Sequence, residues 1–350
     1  MKGLRFRSSH FVVALAVAAA SPGQDLATSL RDYLRQREFS EKDLRAVERG
    51  QAVVKLLDAE DDSETQLLGV VKIQGAPEEF LSRYRGIVSF EKGAGILQIG
   101  LLSDPPAVDD LAALTIDPVD VEDLKECRPG DCGIKLSAEA IQTFQRIDWE
   151  AEGAVSTAEA LAREMLVDFL RAYQEGGNAA LGTLHDKDEP LEVGQAFAAM
   201  IESPEFPAYF PDLYSYLNDY PAAKIPGAEE LFYWSKVDFG LKPMIRLNHV
   251  VIYEPSGRPD VRYAVASKML YSSHYFNTGV EMKFLTVTRE SSNSYYLVAN
   301  NQSRSDGFSG LTGFFAGRKI RGKARGALES YLASVKRNLE RGPSPSRPTP

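Results

Sequence analysis

Apolar residues recur at helical spacing from residue 25 to about 49, with Leu26, Leu30, Tyr33 and Leu34 on one face. Ser40 followed by Asp43 reads as the capped start of a second helix, and Gly50 ends it. Two runs rich in β-formers follow, at 52–57 and 67–73, joined by the acidic stretch 58–64. Pro77, Glu78 and Glu79 open a short helix through Leu81 and Tyr84, because proline fits a first turn and acids there suit the helix dipole. Residues 96–102 read as one more strand, stopped by Asp104-Pro105-Pro106.

The middle third changes period. Residues 121–126, 137–147, 156–173, 193–201 and 213–220 all read as helix. The longest carries the clearest signals: Ser156 and Glu159 form a capping box, and Gly176-Gly177 terminates it. The pattern then turns strongly β. Residues 232–239, 244–253, 261–276, 280–288 and 294–303 predict five strands, with turns at 240–243, 255–259, 277–279 and 290–293. Breaks this short mean hairpins, hence an antiparallel meander. A last helix, about 315–340, places Ile320, Ala324, Leu328, Leu332, Val335 and Leu339 along one face. The Pro- and Ser-rich tail, 341–350, reads as disordered.

Residues 1–24 read as a cleaved secretory signal: Lys2, Arg5 and Arg7, an apolar run from Phe11 to Ala20, then small residues before Ser21-Pro22. The run is too short to span a bilayer. The expected location is therefore secreted or periplasmic. The chain of 350 residues is 44% hydrophobic and 25% charged, the composition of a globular protein. Its formal charge of -9 becomes -12 once the three basic residues of the signal are lost. An acidic body repels phosphate backbones, which argues against a nucleic-acid partner. The two cysteines, Cys127 and Cys132, flank a Pro129-Gly130 turn; in an oxidising compartment they predict a disulfide.

The order of elements resembles the START-like, helix-grip superfamily, which includes polyketide cyclases and lipid-transfer proteins. Val70 to Gly75 running into Pro77-Glu78-Glu79-Phe80 is similar to its strand-then-helix entry. Asn301 to Asp306 followed by Phe308 to Glu340 is similar to its last strand and grip helix. Phrases such as Tyr233-Trp234-Ser235-Lys236 and Ser273-His274-Tyr275-Phe276 also look like those of uncharacterised secreted bacterial proteins. The likeness covers Val53 to Leu102 and Phe232 to Glu340. It implies an α+β fold in which a curved antiparallel sheet grips a long C-terminal helix. The organisation expected is a signal (1–24), N-terminal helices (25–50), a first sheet part (51–104), a helical insertion (105–230), then meander and helix (231–340). It also implies a cavity between sheet and helix for an apolar or lipid-like molecule. The lining residues this nominates are Phe232, Trp234, Tyr253, Tyr271, Tyr275, Phe284, Tyr296, Phe308 and Phe314, although large aromatics also fill ordinary cores.

Motifs for chemistry are sparse. The signal-less chain keeps three histidines, His185, His249 and His274, in no metal-binding pattern. No phosphate loop or nucleotide fingerprint appears, so neither cofactor nor metal nor catalytic set is nominated. Gly307-Phe308-Ser309-Gly310 is one residue short of a serine-hydrolase elbow. Arg318, Lys319, Arg321, Lys323 and Arg325 make a basic run in an acidic chain, a candidate for transient contact with anionic membrane surfaces. Three readings stay open. One is a binding protein for an apolar molecule. Another is a secreted hydrolase around His249, His274 and Glu281, which then must converge. The third is an envelope interaction module whose helical middle presents the partner surface.

Overall fold

The computed structural model describes residues 26–59, 61, 63–93, 95–202, 210–238, 240–288, 291–305 and 310–341, with the side chains of 26–29, 288, 291–292 and 310–320 left aside. The signal-like segment, Phe308 and the tail lie outside these residues.

The chain begins with α1 (Leu26–Gln36) and α2 (Glu41–Glu48). Ser40 caps α2 in a full capping box with Asp43, as its spacing predicts. The hairpin β1 (Val53–Leu57) and β2 (Glu64–Gln74) comes next, then α3 (Pro77–Tyr84), α4 (Ile87–Phe90) and β3 (Ile96–Leu102). The middle third supplies α5 (Pro118–Glu126), α6 (Ala138–Phe144), α7 (Ala154–Gly176), the short pair β4 (Thr183–Leu184) and β5 (Leu191–Glu192), α8 (Val193–Ile201) and α9 (Pro211–Asp219). The meander is β6 (Glu229–Val237), β7 (Met244–Tyr253), β8 (Val261–Ser272), β9 (Phe276–Thr288) and β10 (Ser291–Ser305), and α10 (Gly310–Glu340) closes the chain.

Eight strands form one antiparallel sheet in the order β1-β2-β10-β9-β8-β7-β6-β3. The five meander strands pair with their sequence neighbours; the β1–β2 hairpin extends one side against β10, and β3 pairs with β6 at the other. The fold is thus α+β, a large antiparallel sheet with a long C-terminal helix.

Helices cover both faces of this sheet. On one, Leu328, Leu332, Val335 and Leu339 of α10 join Phe80 and Tyr84 of α3 over Val71, Val250, Val265, Leu285 and Leu297. On the other, Leu34 of α1, Leu170 and Tyr173 of α7, Phe197 of α8 and Leu213 of α9 pack over Val70, Val251, Ala266, Phe284 and Val298. Consecutive residues such as Val70 and Val71 point to opposite layers, and both are fully buried. This explains why the meander reads as near-continuous apolar runs rather than strict alternation: neither face meets water.

Two local expectations are corrected. Helix α7 starts two residues before Ser156, with Gly153 as its N-cap at φ 85°. Glu159 closes no capping box; its carboxylate accepts from the Ile116 backbone N–H at 3.1 Å. The β8–β9 turn lies at 273–275, not at 277–279. Asn277 to Gly279 are inside β9, and Tyr275 takes the left-handed turn conformation at φ 64°.

Candidate functional site

A cavity of about 610 Å³ lies between α5, α6 and α7 and the ends of β7, β8 and β9. Its walls come from a small satellite core: Leu124 of α5, Ile134, Phe144 of α6, and Ala162 and Met165 of α7. Ile245, Leu270 and Tyr271 supply the sheet side, and Leu181 and Leu184 the floor. Tyr271 meets Phe169 edge-on, at 6.3 Å between ring centres and 60° between planes. Burial pushes its phenol up, so the ring presents a neutral hydroxyl.

A buried hydrogen-bonded pair and a buried ion pair stiffen one end of this wall. His274 Nε2 and Asp120 Oδ1 stand 3.0 Å apart, both buried. Lys135 and Asp186 pair at 3.3 Å. Backbone bonds tie these segments together, from Lys135 N–H to Ser273 O at 2.9 Å and from His185 N–H to Leu136 O at 2.8 Å. Cys127 and Cys132 are disulfide-bonded, and the loop they close grips the same wall. Gly130 N–H donates to His185 O at 2.8 Å and Cys132 N–H to Asp186 O at 3.1 Å. Replacing both cysteines by serine should cost about 2 kcal/mol. It should also speed hydrogen exchange at Gly130, Cys132 and His185 while leaving the meander amides protected. Unchanged exchange in the loop would show that the disulfide does not hold this wall.

This cavity is on the face opposite α10. Of the nominated aromatics whose side chains are among the described residues, only Tyr271 lines it. Phe232, Trp234, Tyr253, Phe284 and Tyr296 also point away from α10, into the core beneath α1, α7, α8 and α9. Phe232 stacks on His249 at 4.4 Å between ring centres. Trp234 donates to Asp110 O at 2.9 Å. Phe284 packs against Tyr33 and Phe210, and Tyr296 donates to Glu48 at 2.9 Å. Tyr275 sits in the β8–β9 turn and donates to Lys242 O at 3.3 Å. Phe314 belongs to the part of α10 whose side chains are left aside. Lys323 and Arg325 of the basic run are exposed and Arg321 is half-buried, while Arg318 and Lys319 lie with Phe314.

The hydrolase constellation does not form. His249 is buried under α7 and α9, between the hydroxyls of Tyr173 at 3.1 Å and Tyr216 at 3.2 Å. Burial lowers its pKa, although Glu230 beside it pulls the other way. Glu281 points to the α10 face, where it pairs with Lys283. His274 sits in the turn with Asp120. The three residues face three different surroundings, because the turn falls at 273–275 and strand alternation puts His249 and Glu281 on opposite faces.

Sequence reading also passed over several charged residues inside apolar strands. Lys268 is fully buried, donates to Asn178 Oδ1, and lies 4.0 Å from the centre of the Phe197 ring. Lys283 interrupts β9 in the same way. A charge between β-formers was the available signal, since such strands have no wet face to receive it.

The fold and cavity define a mixed α+β protein with an eight-stranded antiparallel sheet between two helical layers and an apolar chamber under one of them. No family model matches the chain, and no curated protein matches it. Among solved structures the chain is similar to a START superfamily protein from Mycobacterium smegmatis, at 10% identity over 40% of this chain and 90% of that one, with a TM-score of 0.20. Among the described residues no helix is long and apolar enough to cross a membrane, and no group of three or more His, Cys, Asp or Glu could hold a metal.

Proposed function

We propose that the protein binds an apolar or lipid-like small molecule in the chamber between α5–α7 and the sheet. The observation that carries this reading is the chamber itself. Its volume of about 610 Å³ is that of a small-molecule site, and apolar side chains from separate elements form its walls. Such a wall cannot hydrogen-bond water well, so an apolar guest gains by displacing it. The Asp120–His274 hydrogen bond, the Lys135–Asp186 ion pair and the disulfide loop at one end of the wall support a chamber that stays open. The signal-like N-terminus and the disulfide support work outside the cytoplasm. The exposed Lys323 and Arg325 support brief contact with an anionic membrane surface while cargo is exchanged.

A dansylated fatty acid titrated into the purified protein should show saturable, blue-shifted fluorescence. Ala162→Phe fills the chamber from α7 and should weaken that binding at least tenfold with the circular dichroism spectrum unchanged. Binding that survives Ala162→Phe intact would place the guest elsewhere, and absence of binding together with an empty organic extract would remove the reading.

A further inference from the structure

Most polar side chains in the walls of the chamber already have partners within the protein. Ser137 caps α6 by accepting from Ala140 N–H at 3.2 Å. Ser272 donates to His274 O at 2.7 Å, and Ser273 Oγ accepts from Ile245 N–H at 2.9 Å. Thr183 donates to Glu192, and Lys135 pairs with Asp186.

Two wall groups differ. Asp120 uses one carboxylate oxygen, Oδ1, for His274; its Oδ2 has no hydrogen-bond partner among the described residues. The Tyr271 hydroxyl has none either. Neither atom is sealed in by protein. This separates them from Asn277 Oδ1 in the same wall, which is unpaired but closed off from the chamber space. Asp120 stands in the first turn of α5 and is only 3% exposed, while Tyr271 ends β8 next to Ser272. A buried carboxylate oxygen without a donor is among the costlier groups a fold can keep, because it loses water's hydrogen bonds and gains none. An oxygen that opens into a cavity instead keeps a place for a donor on a guest.

The carboxylates of Asp120 and Asp186 act with burial to push the Tyr271 phenol up, so its proton stays and it remains a donor. The otherwise apolar space therefore offers one open acceptor, Asp120 Oδ2, and one open donor, Tyr271 O–H. This pair sorts head groups. A carboxylate accepts but cannot donate, and it meets the charge of Asp120. An ether accepts but cannot donate. An ammonium donates but has no lone pair for Tyr271. A hydroxyl does both with one atom, donating to Asp120 Oδ2 and accepting from Tyr271. Water meets the same two demands but leaves the apolar walls unfilled.

We propose that the guest of the chamber is an amphipathic alcohol, an aliphatic body ending in a hydroxyl held between Asp120 Oδ2 and Tyr271. This rests on the binding reading above and names the chemistry of its ligand.

Competition against the dansylated fatty acid, on the purified full chain, tests it. The probe carries no hydroxyl, so it reports occupation of the chamber alone. Decan-1-ol and 1-methoxynonane share one formula and differ in whether the oxygen can donate. Decan-1-ol should displace the probe at a concentration roughly tenfold below that needed by 1-methoxynonane, decanoate or decylammonium, the ratio expected of one hydrogen bond to a charged group. Tyr271→Phe keeps the ring against Phe169 and removes no bond of the free protein. Its melting temperature should stay unchanged while decan-1-ol loses most of its advantage. Asp120→Asn keeps Oδ1 for His274 and puts an N–H where Oδ2 stood, so the alcohol and the ether should become equally potent. Both variants should bind the probe normally, whereas Ala162→Phe should weaken the probe and every competitor together. Equal displacement of the probe from the unaltered protein by decan-1-ol and any of the other three would overturn the proposal while leaving the chamber as a site. So would a Tyr271→Phe variant that melts lower and keeps the full preference for the alcohol. A probe that never binds would remove the chamber reading and this proposal with it.

Discussion

Lys268→Met should stabilise the protein by about 2 kcal/mol at pH 7, with the gain shrinking as pH rises toward 10. Lys268 is a lone cation in the core beneath α7 and α8, directly across the β7–β8 ladder from His249. Burial pushes its ammonium from the ordinary 10.5 down to about 7. In the unfolded chain the same group keeps its proton up to about 10.5. Between pH 7 and 10.5 the unfolded chain therefore holds a proton that the folded chain has shed, and stability rises with pH across that window. Most of the penalty is present at pH 7, and all of it well below that pH. The gap between the two values bounds it at about 4–5 kcal/mol. Two contacts offset part of this. The ammonium sits over the Phe197 and Tyr173 rings, 4.0 and 5.1 Å from their centres, and donates to Asn178 Oδ1. Methionine fills similar volume with no charge, but it leaves Asn178 Oδ1 without its donor, at a cost of about 1–3 kcal/mol. Asn178 itself stays fixed by bonds from its amide to Leu217 O and Asn218 O. Urea titrations of both proteins at pH 7, 8.5 and 10 check this. A pH-independent difference, or a methionine variant less stable at pH 7, would mean that the lysine is better satisfied than its surroundings indicate.

The local elements could be read from residue spacing because local physics sets them. The Ser40–Asp43 cap, the proline opening of α3 and the β-branched runs of the meander each depend on neighbours within four residues. The long apolar stripe Leu328, Leu332, Val335 and Leu339 likewise meets the sheet as helical period requires. What spacing could not show was which layer each sheet face would meet. Period-two alternation separates Phe232 from Tyr233, but both are buried here, under different helices. The resemblance nominates the aromatics for the α10 side, while the charged pair Glu281 and Lys283 is what faces α10 there. Asn277-Thr278-Gly279 has turn composition, yet the ladder with β10 runs through Thr278 and Gly279 and the chain turns earlier, at Tyr275. The chamber was invisible for a related reason: Leu124, Phe144, Met165 and Tyr271 are far apart in sequence, and only the docking of the middle helices on β7–β9 brings them together.

Gly177→Ala should cost roughly 4 kcal/mol or more, the largest loss expected from a single methyl group in this molecule. Gly177 follows α7, with φ 58° and ψ -136°, a backbone region open in practice only to glycine. A Cβ built there would stand 1.7 Å from the carbonyl oxygen of Tyr220 and 2.8 Å from its carbon. Neither atom can yield alone, since both belong to the backbone. Tyr220 would have to move, and its ring stacks on Tyr173 at 5.0 Å and lies 4.7 Å from His249. The shift would therefore open the aromatic nest that joins α7, α9 and β7, and leave His249 exposed to protonation. Gly153→Ala supplies the control: Gly153 also has positive φ, at 85°, but nothing lies within 4 Å of its missing Cβ. It should lose only the strain of a left-handed alanine, about 1 kcal/mol. Urea midpoints for the two variants separate contact from strain, and equal losses would mean that Tyr220 does not press on Gly177. Should Gly177→Ala fail to accumulate as folded protein, Gly177→Ser provides no relief, whereas shortening Tyr220 to alanine leaves the carbonyl in place and should not rescue it either. Only a change in the backbone path at 220 can, which is the physical content of the clash.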